Sequence, residues 1–287
     1  MRRLTTLLLA VSLVLAAACS GSDDDAADQQ GSPAERVAAA ADLTQEDGSA
    51  RTSFEAAVTG LLRSDEPSSA TGEGLVDFAQ HRGSLEVDLG PLLAGAGIPG
   101  LDAQSETLFE GNVIYLRSSL LNSFLGVDTP WIRVDLEAPA GNTGLDLSPL
   151  ATLTGNDPGA QLGLLAGVDP GSVRELGGQD VRGENTVRYG AAVDLVVAAT
   201  QAGTDAERQR FERLRTQLGT DRLDIQVDLD RQGRVRRLAY AQPLPADAGG
   251  ATSEVVLEYY DFGTDVDLTI PGPDQVTDVA DVPIPGG

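Results

Sequence analysis

The chain has 287 residues, with 44 acidic against 20 basic side chains and a formal net charge of −24. A chain this acidic lacks the clustered bases that neutralise phosphates, which argues against a nucleic-acid binder and against adhesion to anionic lipid by charge alone. One His (His81) and one Cys (Cys19) cannot assemble a His/Cys zinc site or an internal disulfide.

Hydrophobic residues make up 41% of the chain, enough for a sizeable core. Aromatics are only 4%, beside 33 Gly and 15 Pro, a mixture that suits strands and turns better than a helical bundle.

Met1-Arg2-Arg3 is a short basic start, and Leu4 to Ala18 follows without charge. The run is too short to span a bilayer, which takes ~20 apolar residues, and it has the form of a secretory signal. Small residues run up to Cys19 in Ala16-Ala17-Ala18-Cys19, which resembles the bacterial lipobox. Residues 1–18 are therefore expected to be a lipoprotein signal peptide. Cys19 is expected to be lipidated, holding the protein at the outer face of the cytoplasmic membrane. The alternative is a plain secreted chain with an unpaired Cys. Residues 19–32, with Asp23-Asp24-Asp25, predict a disordered tether.

Ser32-Pro33-Ala34-Glu35 then carries a capping box with Pro at the first helical position. It predicts a helix to about Leu43 with Val37, Ala40 and Ala41 on its buried side. From Ala50 the period changes to two: Phe54, Ala56 and Val58 alternate with Glu55 and Ala57. Strands are expected at Leu75–Gln80, around Leu85, Val87 and Leu89, at Thr107–Glu110, at Val113–Arg117 and at Trp131–Leu136. Thr143 to Val168 reads as one or two short apolar helices, with Asp157-Pro158 as a start signal. Two further short strands are expected at Val173–Leu176 and Val181–Gly183, and a longer one at Thr186–Val193. Thr204 and Glu207 form a second capping box, for a helix to Leu218 with Phe211, Leu214 and Leu218 at helical spacing. Two hairpins are expected last, Leu223–Leu229 with Arg234–Tyr240, and Ser253–Phe262 with Val266–Ile270.

About ten strands and a few helices predict an α+β fold: a strongly curved antiparallel sheet, a half-barrel, wrapped over helices. A dry concave face with few large aromatics is a candidate for a lipid-sized apolar cavity. A fully packed interior satisfies the same pattern.

Motifs for chemistry are sparse. Without Lys there is no phosphate-binding Gly-rich loop ending in Lys, and no Gly-x-Ser-x-Gly elbow occurs. Asp228-x-Asp230-x-Gln232-Gly233 imitates the start of a calcium loop, but Ala239 stands where the bidentate Glu belongs, so a hairpin turn is the expected reading. His81 is expected at the surface. An enzyme is the weaker class, a hydrolase built around His81 being its one distinctive form. No cofactor is expected.

Phe109-Glu110-Gly111-Asn112-Val113-Ile114-Tyr115-Leu116 and Pro130-Trp131-Ile132-Arg133-Val134-Asp135-Leu136 resemble paired strands of the actinobacterial LppX/LprAFG lipoproteins. Gly183-Glu184-Asn185-Thr186-Val187-Arg188-Tyr189 and the Ile225–Tyr240 hairpin are similar to that family's later strands. The likeness spans roughly residues 33–270, the expected domain, and leaves 271–287 as an extended tail. The resemblance implies a LolA/LolB-like fold, an apolar cavity that binds acylated glycolipids or related lipids, no catalytic residues, and movement of lipid across the envelope.

The expected dry face carries Phe54, Val58, Leu85, Val87, Ile114, Leu116, Ile132, Val134, Val187, Tyr189, Ile225 and Val227. Leu162, Leu164 and Leu165 are expected to form a movable lid. The expected partners are a lipid or acylated glycolipid, the membrane through the N-terminal anchor, and an envelope transport protein. The rival is a structural or regulatory lipoprotein with a packed core that binds a protein partner.

Overall fold

The computed structural model describes residues 31–60, 68–95, 103–135, 158–243 and 251–282. The signal segment, Cys19 and nearly all of the tether lie outside the described residues, as do Leu136 and the proposed helix start at Asp157.

Helix α1 (Pro33–Gln45) starts as the sequence predicts. The Ser32 side chain accepts from the Glu35 N–H, and the Glu35 carboxylate accepts from the Ser32 N–H at 2.7 Å. The bond to the Ser32 N–H is the main reason the Glu35 carboxyl lies below its usual range, with the Ser32 hydroxyl adding to it. The helix buries Val37, Ala40 and Thr44. Thr44 Oγ1 donates to the Ala40 carbonyl at 2.6 Å and accepts from the Val235 N–H at 2.8 Å, which ties the helix to the sheet.

The described strands form one 12-stranded sheet: β1 (Ser49–Thr59), β2 (Ser68–Asp77), β3 (Arg82–Asp88), β4 (Gln104–Glu110), β5 (Val113–Arg117), β6 (Trp131–Asp135), β7 (Arg174–Val181), β8 (Glu184–Asp194), β9 (Arg222–Leu229), β10 (Val235–Pro243), β11 (Thr252–Tyr260) and β12 (Val276–Asp278). Their spatial order is β12-β6-β5-β4-β3-β2-β1-β11-β10-β9-β8-β7. The sheet is curved and unclosed, with β7 at one edge and β12 at the other. Every neighbour pair is antiparallel except β12–β6, which is parallel. The central seam joins the two ends of the chain, Arg51 opposite Tyr260 and Thr59 opposite Thr252.

Short helices α2 (Gly90–Gly95), α3 (Ser119–Leu125), α4 (Pro158–Gln161) and α5 (Leu195–Gln201), with the longer α6 (Asp205–Leu218), fill the connections. A 3-10 segment, Leu162–Gly167, continues α4. The capping box of α6 forms between Thr204 and Glu207 as predicted; Phe211 is buried, and Leu214 and Leu218 pack against the core. The helix α5 has no counterpart among the sequence expectations. Asp194 starts it by accepting from the Val196 and Val197 N–H groups.

Three strand expectations need correction. The second strand begins at Ser68 and ends at Asp77, and 78–81 is a turn that leaves Phe78 outside it. Its first half is Ser, Ala, Thr and Gly, without apolar alternation, and is strand because β1 and β3 pair with it on both sides. The two short strands after Val173 are one strand, β7, with a register shift between Glu175 and Gly177. Gly177 takes φ +105°, which absorbs the extra residue. The second late hairpin does not form: β11 already pairs with β1 and β10, so 266–270 has no free edge to join despite its alternation. Beyond it the chain returns as β12 along β6, where Arg133 pairs with Asp278 at 2.6 Å.

Glycines on β2 allow a close approach to β3. A Cβ on Gly74 would lie 2.0 Å from the Ser84 carbonyl oxygen, and one on Gly72 would lie 2.6 Å from that of Glu86. Only bare backbone lets β2 and β3 coil this closely, one device by which a sheet bends over its own face.

Candidate functional site: the inner face of the sheet

The register puts all twelve predicted strand residues of the dry face on one side. Val87 stands opposite Gly72, Gly72 opposite Phe54, Phe54 opposite Leu257, Leu257 opposite Leu238, Leu238 opposite Val227, and Val227 opposite Tyr189. A second row runs through Leu85, Thr107, Leu116 and Ile132. Ile114 faces Val134, Ile225 faces Tyr240, Val187 faces Leu229, and Val58 faces Ser68 and Ser253. Val134 and Val187 are half-buried and the other ten are buried.

Helices cover this face. Contacts run from α1 to β7, β9 and β10, from α4 to β2, and from α6 to β10. Leu162, Leu164 and Leu165 lie in the 3-10 segment, each at most 2% exposed, within the same apolar cluster as the sheet residues.

The segment that carries these leucines is tied down at its start. Tyr259 Oη donates to the Pro158 carbonyl at 2.6 Å, Tyr240 Oη donates to Gln161 Oε1 at 3.2 Å, and Arg210 Nη2 donates to the Ala160 carbonyl at 2.5 Å. A fourth bond, Arg36 Nη1 to Tyr189 Oη at 3.0 Å, links α1 to β8. Burial pushes the Tyr240 phenol above its ordinary range, with the Arg210 charge opposing the shift. Movement of 158–167 therefore requires the bonds from Tyr240, Tyr259 and Arg210 to break.

The sequence pattern did not single out Leu238, Leu257, Tyr240 and Tyr259 for this face, although each continues the alternation of its strand. It also passed over buried hydroxyl residues on the face, Thr52, Ser68, Ser105, Thr107 and Ser253. Thr52 stands two residues before Phe54, so period two alone would have found it.

The charged groups of the strands keep to the outer face and the turns, while Arg36 and Arg210 reach the inner side from the helices. The buried Asp228 accepts twice from Arg188, at 2.6 and 2.7 Å, and this pairing raises the Arg188 guanidinium above its usual value against the cost of burial. Asp230 accepts from Arg234 and Arg236 and from the Gln232 N–H, so the carboxylate of the calcium-like motif is engaged within its own hairpin. Both arginines lie over the Phe262 ring, at 4.4 and 4.7 Å. His81 is exposed in a turn at φ +50°. Among the described residues no three His, Cys, Asp or Glu side chains gather as metal ligands, and no helix is long and apolar enough to cross a membrane.

No protein-family model matches the chain, and no curated protein does. Among solved structures it is similar to the lipoprotein LppX of Mycobacterium tuberculosis, at 10% identity and TM-score 0.46, over 83% of this chain and 98% of that one. It is similar also to LprF of Mycobacterium bovis, at 13% identity and TM-score 0.41, over 84% of this chain and 96% of that one. A LolA superfamily protein of Nitrosomonas europaea follows at 8% identity and TM-score 0.30, covering 85% and 96%. These solved structures thus include members of the two groups that the sequence resembles.

Proposed function

We propose that this chain is a lipid-anchored envelope lipoprotein that holds a lipid or acylated glycolipid against the inner face of its sheet and carries it, without catalysis. Cys19 is the attachment point, residues 19–32 give reach from the outer face of the cytoplasmic membrane, and an envelope transport protein receives or supplies the lipid. The observation that carries this reading is the largely apolar face running across the strands from β6 to β8, covered in part by a short 3-10 segment rather than by a regular helix. Each CH₂ of a ligand chain buried on that face contributes ~0.8 kcal/mol, against the cost of exposing any leucine it displaces. Binding of the hydrocarbon therefore needs no charged anchor.

The test is native mass spectrometry of the full chain released from detergent micelles. Co-purifying lipid, or uptake of added lipid, is the expected outcome. Protein that is empty and takes up none overturns the carrier reading. One observation favours the rival structural role: Val87, Val227 and Leu238 are already fully buried by the protein itself. On that reading the acidic surface meets a protein partner and the interior stays closed.

A further inference from the structure

Two hydroxyls on the inner face lack partners. Thr52 on β1 is fully buried and Ser105 on β4 is 5% exposed, and neither Thr52 Oγ1 nor Ser105 Oγ has a hydrogen-bond partner among the described residues. Buried hydroxyls are nearly always paired, because an unpaired one gives up its bonds to water for nothing.

Their placement is not scattered. Thr52 stands opposite Gly74, Gly74 opposite Leu85, and Leu85 opposite Thr107. Ser105 lies two residues from Thr107 on the same face of β4, opposite Val87. The two hydroxyls therefore flank the β2–β3 pair, about 16 Å apart on the sheet: three strand spacings across and one two-residue step along. Between them are only glycine backbone and the side chains of Leu85 and Val87. No charged residue occupies an inward position on β1, β2, β3 or β4.

A neutral polar group fits such a setting, and an ionised one does not. A carboxylate or phosphate brought there would be buried without a cation. A hydroxyl can donate to an uncharged carbonyl oxygen while hydrocarbon packs on the leucine and valine between.

We propose that Thr52 and Ser105 are the polar anchor points of the inner face, donating to the ester carbonyls of a neutral acyl lipid and setting a preference for ester-linked over ether-linked chains. The inference rests on the lipid-holding reading above and adds to it a specificity that a purely apolar face would not have.

The test is a competition on the purified full chain in detergent micelles. Equimolar dioleoylglycerol and its dioleyl ether analogue are offered together, and native mass spectrometry reads the bound ratio. The two probes share chains and a free hydroxyl and differ at the carbonyls. Wild type should favour the ester a few-fold, since one diacylglycerol reaches one of the two hydroxyls at a time and gains one neutral hydrogen bond there. The double variant Thr52→Val, Ser105→Ala should bind both probes about equally, with ether uptake unchanged. Thr52→Ser, which keeps the hydroxyl, should retain the preference. Should the double variant not fold, Thr52→Val alone should lose part of the preference. Equal binding of the two probes by wild type, or an undiminished preference in the valine variants, overturns the inference and leaves the carrier reading standing. Binding of neither probe overturns both.

Discussion

The two halves of the sheet bury the same face by opposite means. On the β8–β11 side the rows are filled by large side chains, Tyr189, Val227, Leu238, Leu257 and Tyr259, which meet α1 and the 158–167 segment. On the β2–β4 side the inward positions are largely small or hydroxyl-bearing: Ala70, Gly72 and Gly74 on β2, Ser105 and Thr107 on β4. One half owes its form to what its side chains fill, the other to what its backbone is free to approach. Removing atoms should therefore damage the first, and adding them the second.

The largest expected effect is on the filled side. Leu238→Ala deletes a fully buried side chain from the middle of a row and should cost about 2–5 kcal/mol by chemical denaturation; a cost under 1 kcal/mol would mean that this half is no better filled than the other. Next is Arg188→Ala, which strands the buried Asp228 carboxylate on the outer face of the same half. About 3 kcal/mol is expected, the order of a broken buried pair. On the other side the sign of the volume change reverses. Gly74→Ala sets a methyl against the Ser84 carbonyl and should cost about 1–3 kcal/mol with no cavity formed. Wild-type stability in that variant would show that β2 and β3 can move apart.

Smaller effects sharpen the contrast further. Tyr240→Phe should cost about 1 kcal/mol at neutral pH through loss of the bond to Gln161. Burial holds the folded Tyr240 phenol above the ordinary value of 10.0. This contribution to stability is thus complete below that pH and is lost as the pH rises toward the folded value, since only the unfolded chain ionises freely. Alkaline stability measured from pH 9 to 12 should fall less steeply in Tyr240→Phe than in wild type. Smallest of all is Thr52→Val, the same shape without the unpaired hydroxyl. It should change stability by less than about 1 kcal/mol, with a gain the expected sign.

On the filled half the sequence marks some strands plainly, although it passes over Leu238, Leu257, Tyr240 and Tyr259 for the inner face. Ile225, Val227, Tyr189 and the hairpin at Asp230–Gly233 announce themselves by alternation and turn chemistry, and both long helices carry capping boxes. The Ser68–Gly74 part of β2 has no such pattern; its strand is imposed by β1 and β3, and its glycines read as loop until the approach of Ser84 and Glu86 is seen. The error at Val266–Ile270 is the mirror case. Alternation was present, but an available edge was not, and edge supply is a property of the whole sheet rather than of any window. The site residues split likewise. Apolar inward positions follow from period two, whereas the lack of a partner for Thr52 or Ser105 among the described residues depends on what the neighbouring strands and helices fail to bring near.

The seam between β1 and β11 has a consequence for how the protein comes to exist. The strand that sits mid-sheet is among the earliest made, yet one of its two neighbours spans Thr252–Tyr260, near the far end of the polypeptide. No ribosome can deliver a finished sheet from such a layout before β11, about 190 residues after β1, has been made, and contacts so distant along the chain make for slow closure. A polypeptide built in this order stays threadable until β11 has emerged, and only then can its sheet close around β1.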